Sequence, residues 1–304
     1  MSLNERATRL CQSLPPRVVE QRIDGARVLD AGIAAPGGLE AGLWLARLCL
    51  ADAAQVSLTR GEGGLGVLVS SDEPIAACMA SQYAGWQVSV GKYFAMGSGP
   101  MRAAYGKEAL FDDIGLRESP SVAVGVLETR KMPTPEVLAY LAERTRVAPE
   151  ALSVAVAPAC SLAGTVQVVA RALETALHKL HELKFDLAQV VSGTGYAPLP
   201  PVGKDDLQAI GWTNDAILYG GIVDIWVRAE DDVLATLGPK VPASGSSMYG
   251  APFAEIFRAA GGDFYKIDPL LFSPAVVRLM NLSTGRRHTF GHLAPEVLTQ
   301  SFGG

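Results

Sequence analysis

The stretch that decides the fold begins with Ser121-Val-Ala-Val-Gly-Val-Leu127, continues through Pro135 to Arg146, and ends with Leu152-Ser-Val-Ala-Val-Ala157. The first and last segments are short and almost entirely apolar, which is typical of strands buried on both faces of a sheet. The middle segment predicts a helix, with Thr134 as N-cap and proline at the first helical position. Together with a further helical segment up to about residue 183, this order favours an α/β-type layer of sheet and helices.

The length of the chain indicates more than one such layer. The chain has 304 residues, and a single hydrophobic core usually stops growing at roughly 250–300 residues. We therefore expect an α+β fold made of α/β-type layers in two domains, 1–118 and 119–304, with the C-terminal segment able to pack back on the first domain. A substrate cleft between the two domains is the default ligand site.

Composition and charge exclude several classes of protein. Hydrophobic residues make up 49% and charged residues 19% of the chain, which indicates a packed core rather than disorder. The net charge is −5, and the densest basic spot, Arg286-Arg-His288, is too short to follow a nucleic-acid backbone. We therefore expect no nucleic-acid partner.

The cysteines and the uncharged segments bear on the cellular compartment. The four cysteines form no C-x-x-C pair, and the first residues lack the apolar segment of a secretory signal. The long uncharged run from Ala151 to Ala170 contains Pro158 and several polar residues. It predicts a buried strand, a turn and a helix start rather than a membrane span. We expect a cytoplasmic protein with reduced thiols and no membrane partner.

A glycine-rich segment, Lys92-Tyr-Phe-Ala-Met-Gly-Ser-Gly-Pro100, is predicted to be a loop. Exposed N–H groups around Gly97, Ser98 and Gly99 would suit an anion or a planar ligand, and Lys92 would add a cation. A tight turn with incidental charges is an equally good interpretation. The segment matches neither a P-loop nor a G-x-G-x-x-G fingerprint, which disfavours nucleotide binding.

A second candidate site combines Arg171 and Glu174, three residues apart on one predicted helix face. On spacing alone, a surface ion pair explains them. However, they are the only charged residues between Ser161 and Ala176, and a mostly apolar helix is expected to be buried. In a pocket, burial would raise the pKa of the Glu174 carboxyl group and the neighbouring guanidinium would lower it. Glu174 is therefore a candidate general base whose pKa depends on the balance of the two effects.

Two further groups have competing interpretations. Glu174, His178 and His181 could bind zinc, but no H-E-x-x-H pattern is present, and polar residues at a helix end explain the histidines as well. We therefore expect no metal. Asn214 and Asp215, within Thr213-Asn-Asp215, could contact a ligand or could simply cap a helix.

Four strings along the chain together resemble the methenyltetrahydromethanopterin cyclohydrolase family. They are the segment Lys92–Pro100, Gly164-x-Val-Gln-x-x-x-Arg171-x-x-Glu174-Thr175, Thr213-Asn-Asp215 with Tyr219-Gly220, and Asp263-Phe-Tyr-Lys-Ile-Asp-Pro269. Several long, unusual strings in the same order are far more specific than one motif, and the agreement extends over nearly the whole chain.

The resemblance implies a cofactor-independent hydrolase that adds water to the methenyl bridge of a one-carbon-carrying pterin, reversibly, to give the N5-formyl form. It also implies two α/β-type domains with the substrate between them, and a homo-oligomer, a trimer. In this family an Arg and a Glu with this spacing form the catalytic pair, which assigns that role to Arg171 and Glu174. From chemistry alone, we predict that the pterin or its tail is bound by Lys92, Gly97, Ser98, Gly99, Asn214 and Asp215.

Three alternatives remain open on the sequence. A non-catalytic pterin-binding or carrier protein would use the same cleft without needing the Arg171–Glu174 pair. A metal-dependent hydrolase would use Glu174, His178 and His181. The folate version of the reaction is usually carried out by a nucleotide-binding bifunctional enzyme, and this chain has no dinucleotide fingerprint.

Overall fold

The computed structural model describes residues 1–61, 64–263 and 266–303. In this part of the chain, helices accompany two six-stranded mixed sheets, which confirms the α+β class. The chain divides into two compact units. Unit 1 comprises Met1–Gln55 and Ile75–Gln167, and unit 2 comprises Val56–Pro74 and Val168–Gly304.

The strands of the described residues are numbered in chain order. They are β1 Val19–Ile23, β2 Ala26–Asp30, β3 Gln55–Gly61, β4 Gly64–Ser71, β5 Trp86–Val90, β6 Tyr93–Ser98, β7 Ala123–Glu128, β8 Leu152–Ala157, β9 Val190–Pro198, β10 Ile222–Val227, β11 Val276–Asn281 and β12 Arg287–Gly291.

The α-helices of the same residues are α1 Leu3–Leu10, α2 Leu39–Cys49, α3 Met101–Tyr105, α4 Leu110–Ile114, α5 Pro135–Thr145, α6 Leu162–Val169, α7 Ala172–Glu182, α8 Asp206–Gly220, α9 Asp231–Leu237, α10 Phe253–Ala259 and α11 Pro295–Phe302. Ile75–Gln82 is a π-helix, and short 3₁₀ turns cover Pro149–Ala151, Leu187–Gln189, Gly238–Lys240, Ala243–Gly245 and Pro269–Leu271. No helix in the described ranges is long and apolar enough to cross a membrane.

The sheet of unit 1 has the strand order β1-β2-β8-β7-β6-β5. Strands β2, β8 and β7 run parallel, and the other pairs are antiparallel. Every residue of β8 is buried. Its alternate side chains enter two different core clusters: Val154 packs with α5, and Ala155 packs with α1 and α2. Helices therefore cover both faces of the sheet, as the apolar strands predicted.

The units differ from the single division after residue 118 that the sequence analysis placed. β7 and β8 follow residue 118, yet β8 pairs with β2 and β7 pairs with β6, so both strands belong to the sheet of unit 1. Each unit is consequently assembled from two segments of chain. The cleft expected between the domains stays a prediction.

The predicted loop from Lys92 to Pro100 is instead largely strand β6, which corrects that part of the sequence analysis. Gly91 and Lys92 form the two-residue connection between β5 and β6, with φ +59° at Gly91. Tyr93 and Ala95 are buried and Phe94 is exposed. This alternation is the signature of a strand, and the glycines at the end of the segment obscured it.

The sheet of unit 2 has the order β12-β11-β10-β9-β4-β3. In it β10 and β11 are parallel, whereas the pairs β9–β10, β11–β12 and β4–β9 are antiparallel. Helix α7 lies directly on β9, because two glycines leave room for it. A Cβ at Gly195 would lie 2.6 Å from the backbone nitrogen of Leu173, and one at Gly193 would lie 2.7 Å from Leu173 Cδ1. The glycines thus set how closely α7 approaches the sheet.

Candidate active site

Arg171 and Glu174 lie at a break between two helices. Helix α6 ends at Val169, and α7 begins at Ala172. Arg171 has φ −90° and ψ 3°, and it occupies the N-cap position of α7. The continuous helix predicted for this region is therefore interrupted, but the side-by-side placement is confirmed: Arg171 Nη1 lies 4.0 Å from Glu174 Oε2.

The pair is buried, which rules out the surface ion pair that spacing alone allowed. Arg171 is 8% exposed and Glu174 is 4% exposed. Glu174 lies in the first turn of α7, where the N-terminal end of the helix dipole favours a negative charge. Removing either partner would take a neighbouring opposite charge away from the other in the interior, which is costly. The structure therefore holds the carboxylate and the guanidinium as one unit.

The opposite end of α7 is held by a buried lysine. The ammonium group of Lys179 donates a hydrogen bond to the backbone carbonyl of Leu270. Burial lowers the pKa of Lys179 to about 8, although the nearby Asp268 carboxylate opposes that shift. Asp268 in turn accepts hydrogen bonds from Ser246 Oγ at 2.5 Å and from the Leu270 N–H at 2.9 Å. Helix α7 is thus fixed at both ends.

The two histidines of α7 face its C-terminal end. His178 Nε2 and His181 Nδ1 lie 3.8 Å and 3.9 Å from the same oxygen, Glu182 Oε1. Across the described ranges, no group of three or more His, Cys, Asp or Glu side chains is arranged to hold a metal ion. The arrangement therefore gives no support to a metal site at Glu174, His178 and His181.

Strand β6 separates the residues that the sequence analysis grouped in one loop. Lys92 lies exposed before the strand, whereas Gly97 and Ser98 end it and are buried. Five residues of strand correspond to roughly 17 Å, at about 3.3 Å per residue. The N–H of Gly99, which has φ +87°, donates to the carbonyl of Ser81 at 2.9 Å. The N–H of Gly99 is therefore engaged within the protein rather than exposed, and the contact of Gly99 with substrate stays a prediction.

Ser98 belongs to a buried polar chain that the sequence analysis missed. Ser98 Oγ lies 3.4 Å from Cys49 Sγ, and Cys49 Sγ lies 3.7 Å from Gln167 Oε1. These three side chains are almost fully buried. Gln167 lies in the last turn of α6, four residues before Arg171 in the chain. A glutamine inside the uncharged run from Ala151 to Ala170 was the available signal.

Asn214 and Asp215 lie inside α8, whose N-cap is Asp205, so neither of them caps that helix. Asn214 Nδ2 donates to the carbonyl of Ile210 in the same helix at 2.8 Å. Its substrate contact stays a prediction.

Asp215 is fully buried, and both of its carboxylate oxygens are used within unit 2. Oδ1 accepts from the Phe253 N–H at 2.8 Å, and Oδ2 accepts from Ser301 Oγ at 2.5 Å. Burial raises the pKa of Asp215 to about 6. Asp215 therefore joins α8 to α10 and α11, and its contact with substrate stays a prediction.

Asp30 organises the loop that follows β2. Its carboxylate accepts four backbone N–H groups, from Gly32, Ile33, Ala34 and Ala35, at 2.7–2.9 Å. Burial opposes the charge, but the four donors outweigh it and hold the pKa of Asp30 below its usual value. This loop leaves the carboxyl end of a parallel strand, the edge where α/β sheets commonly bind ligands.

One string of the resemblance is only partly visible. Phe264 and Tyr265 lie outside the described residues. Beyond them, Asp268 caps the turn Pro269–Leu271.

Comparison with known proteins agrees with this arrangement over the whole chain. A family model described as "Cyclohydrolase (MCH)" matches residues 2–302. A methenyltetrahydromethanopterin cyclohydrolase from Rhodopirellula baltica is 50% identical over 290 residues, covering 92% of this chain and 87% of its own.

Proteins of the same name from other organisms are similar to this chain to nearly the same extent. The protein from Methylobacillus flagellatus is 47% identical, over 94% of this chain and 89% of its own. The protein from Methanosarcina barkeri is 43% identical, over 92% of this chain and 89% of its own. Identity at this level over this length, with a family model that spans the chain, shows that the protein belongs to the cyclohydrolase (MCH) family.

Proposed function

We propose that this protein hydrolyses the methenyl bridge of 5,10-methenyltetrahydromethanopterin to give 5-formyltetrahydromethanopterin, reversibly, in one-carbon metabolism. The observation that carries the proposal is the buried Arg171–Glu174 pair, 4.0 Å apart, in a chain of this family. The relatives named above carry the name of this activity, and this chain aligns with 87–89% of the length of each. A buried carboxylate with a specific charged partner is also typical of groups that carry out acid–base chemistry.

The substrate needs little activation. A methenyl bridge between two nitrogens is an amidinium cation, and its carbon is already electrophilic. The protein has to place a water molecule over this carbon, accept a proton and decide which C–N bond breaks. Water adds to the carbon while one proton passes to Glu174. As the adduct collapses, its hydroxyl loses the second proton to become the formyl C=O on N5, the bond to N10 breaks, and N10 receives a proton. One net proton then leaves Glu174 for solvent, which restores the carboxylate.

Arg171 has two roles in this scheme. It orients the Glu174 carboxylate and keeps it anionic, so that the carboxylate also attracts the cationic substrate. Its guanidinium can further stabilise the oxygen of the tetrahedral adduct, since preorganised donors act most strongly where water is excluded. The low exposure of both side chains fits this role.

The remaining features of the proposal extend the resemblance. The protein uses no cofactor, since the pterin is the substrate, and it works without a metal. It acts in the cytoplasm as a homo-oligomer, a trimer. None of the four cysteines, all of them within the described residues, is joined in a disulfide, which agrees with a reducing compartment.

The decay of the methenyl chromophore tests this function. Purified protein, treated with a chelator and then freed of it, is mixed with methenyltetrahydromethanopterin. We expect decay far above the spontaneous rate, unchanged by the chelator. Loss of the activity after chelation, with recovery on adding zinc, would establish the metal-dependent alternative. Bound ligand without accelerated decay would establish the carrier alternative.

A further inference from the structure

One face of the unit 1 sheet becomes open to solvent along β6. Phe94, Met96 and Ser98 are alternate residues of this strand and therefore lie on the same face. Ser98 is paired with Val126 of β7, which belongs to the core cluster that contains residues of α1 and α2. Exposure rises from 3% at Ser98 through a half-buried Met96 to 56% at Phe94. The helical cover of this face therefore ends between Ser98 and Phe94.

Strand pairing defines the residues of the open part. Met96 is paired with Glu128 of β7 and with Gln87 of β5, so these three side chains form one row across the face. Phe94 and Ser89 are paired in the next row. Glu128 is half-buried, whereas Gln87 and Ser89 are exposed. We refer to these five residues as the open strip.

The open strip contains apolar side chains at positions where the neighbouring strand has polar ones. The open-face residues of β5, Gln87 and Ser89, are polar, as expected for a solvent-facing side of a strand. On β6 the corresponding positions are Met96 and the largely exposed Phe94. A ring and a thioether side by side on a sheet face are well suited to contact a flat aromatic ligand.

The open strip is continuous with the buried polar chain described above. Ser98 lies two residues beyond Met96 on the same face, about 7 Å away at 3.3 Å per residue. From Ser98 the chain passes through Cys49 to Gln167, which precedes Arg171 by four residues. The strip is therefore the solvent-facing continuation of a polar chain that ends, in sequence, next to the candidate catalytic pair.

We propose that the open strip binds the pterin ring of the substrate, an assignment that rests on the proposed function. The bicyclic ring packs flat against Phe94 and Met96. The aminopyrimidinone edge of a pterin carries two parallel N–H donors, and the Glu128 carboxylate accepts both, in the bidentate geometry that makes such pairs specific. None of these three residues is among the binding residues predicted from the sequence.

A titration with 6-methylpterin, which has the ring but no methenyl bridge, tests the strip itself. The protein is labelled with ¹³C in its methionine methyl groups, and the Met96 signal is assigned by its loss in Met96→Leu. We expect a saturable upfield shift of this signal, because a ring stacked over the methyl group shields it. Met101, which is fully buried in the core on the other face, is the internal control and should not shift. Absence of a saturable Met96 shift would overturn the proposal.

Variants of the strip then test the two kinds of contact. Phe94→Ala and Glu128→Gln should each weaken 6-methylpterin binding at least tenfold, whereas Phe94→Tyr, which keeps the ring, should bind as the wild type does. Val19→Ala is the matched control, since Val19 is 52% exposed on β1, the opposite edge strand of the same sheet. An unchanged Met101 signal shows that the core of each variant is intact. Wild-type affinity in Phe94→Ala or in Glu128→Gln would overturn the proposal.

Steady-state kinetics decide whether the bound pterin is the substrate. With methenyltetrahydromethanopterin, we expect Phe94→Ala to raise KM at least tenfold with kcat changed less than twofold, because the contact is made equally in the ground state and the transition state. Binding of 6-methylpterin with an unchanged KM would overturn the assignment to the substrate. If the wild type shows no hydrolysis, the proposed function fails, and the titration still decides whether the strip binds a pterin.

Discussion

Replacing Glu174 with glutamine is the most direct test of the proposed chemistry. The substitution keeps the size of a side chain that is only 4% exposed, so packing in α7 is preserved. It removes the proton acceptor, and a positioned general base contributes about 10²–10⁴-fold to a rate. We expect kcat to fall at least a hundredfold, which corresponds to about 2.7 kcal/mol of barrier.

The same substitution has a calculable cost in stability. Arg171, 4.0 Å away and 8% exposed, would face a neutral amide oxygen instead of a carboxylate. We expect a loss of about 1–3 kcal/mol of unfolding free energy, the range for a buried polar group that loses its partner. Combining the variant with Arg171→Met removes both charges, so the double variant should lose less stability than the sum of the single variants.

The assay follows methenyl decay for the wild type, Glu174→Gln and Glu182→Gln. Glu182 is in the same helix, but its side chain is 39% exposed, so it controls for the substitution itself and should keep activity. Urea unfolding of each variant separates lost chemistry from lost structure. A folded Glu174→Gln protein with the kcat of the wild type would refute the assignment of Glu174 as base.

Three further predictions concern stability and are read from urea unfolding. Burial raises the pKa of Asp215 in the folded protein to about 6, above its ordinary value of 3.8, so the folded state binds the proton more tightly and stability falls as pH rises from about 4 to about 6. Asp215→Asn should flatten this dependence, and a variant that keeps it would contradict the assignment. Arg102→Met removes the guanidinium that pairs with Glu108 at 2.5 Å and donates to the carbonyls of Met79 and Ser81, and should cost about 3–5 kcal/mol. A loss below 1 kcal/mol would show that the pair is not buried as described. Gly164→Ala would place its Cβ against a backbone carbonyl oxygen and should lower the free energy of unfolding by about 1–3 kcal/mol. Gly211→Ala in α8, where the nearest atom to a new Cβ lies at 3.9 Å, should leave this free energy unchanged or raise it. Equal effects of the two substitutions would refute the steric argument.

Local patterns in the sequence predicted the elements whose neighbours lie nearby in the chain. Short apolar runs predicted the buried strands β7 and β8, and Pro135 predicted the first residue of α5. The placement of Arg171 beside Glu174 follows from a spacing of three residues at a helix start. The scarcity of charge around the pair also predicted its burial, because a mostly apolar helix is expected to be buried.

Strand β6 shows where local patterns mislead. Its alternation of buried and exposed side chains is short, and it ends in glycines that are as typical of a loop as of a strand end. Only pairing with β5 and β7, the latter about 30 residues away, makes the segment a strand and sends Lys92 to one end and Ser98 to the other. Pairing between distant segments is fixed by which faces can be buried, not by the sequence within one segment.

The sequence by itself determined the layers of sheet and helix, the family resemblance and the candidate catalytic pair, because each depends on residue types at short spacing. The tertiary structure alone decided that each unit draws on two segments of chain, that Asp215 joins three helices, and that Lys92 and Lys131 line one groove. The physical reason is that the burial of a side chain and its hydrogen-bond partners depend on contacts between residues far apart in the chain. The free energy of those contacts depends on how the whole molecule packs, so no single segment of sequence determines it.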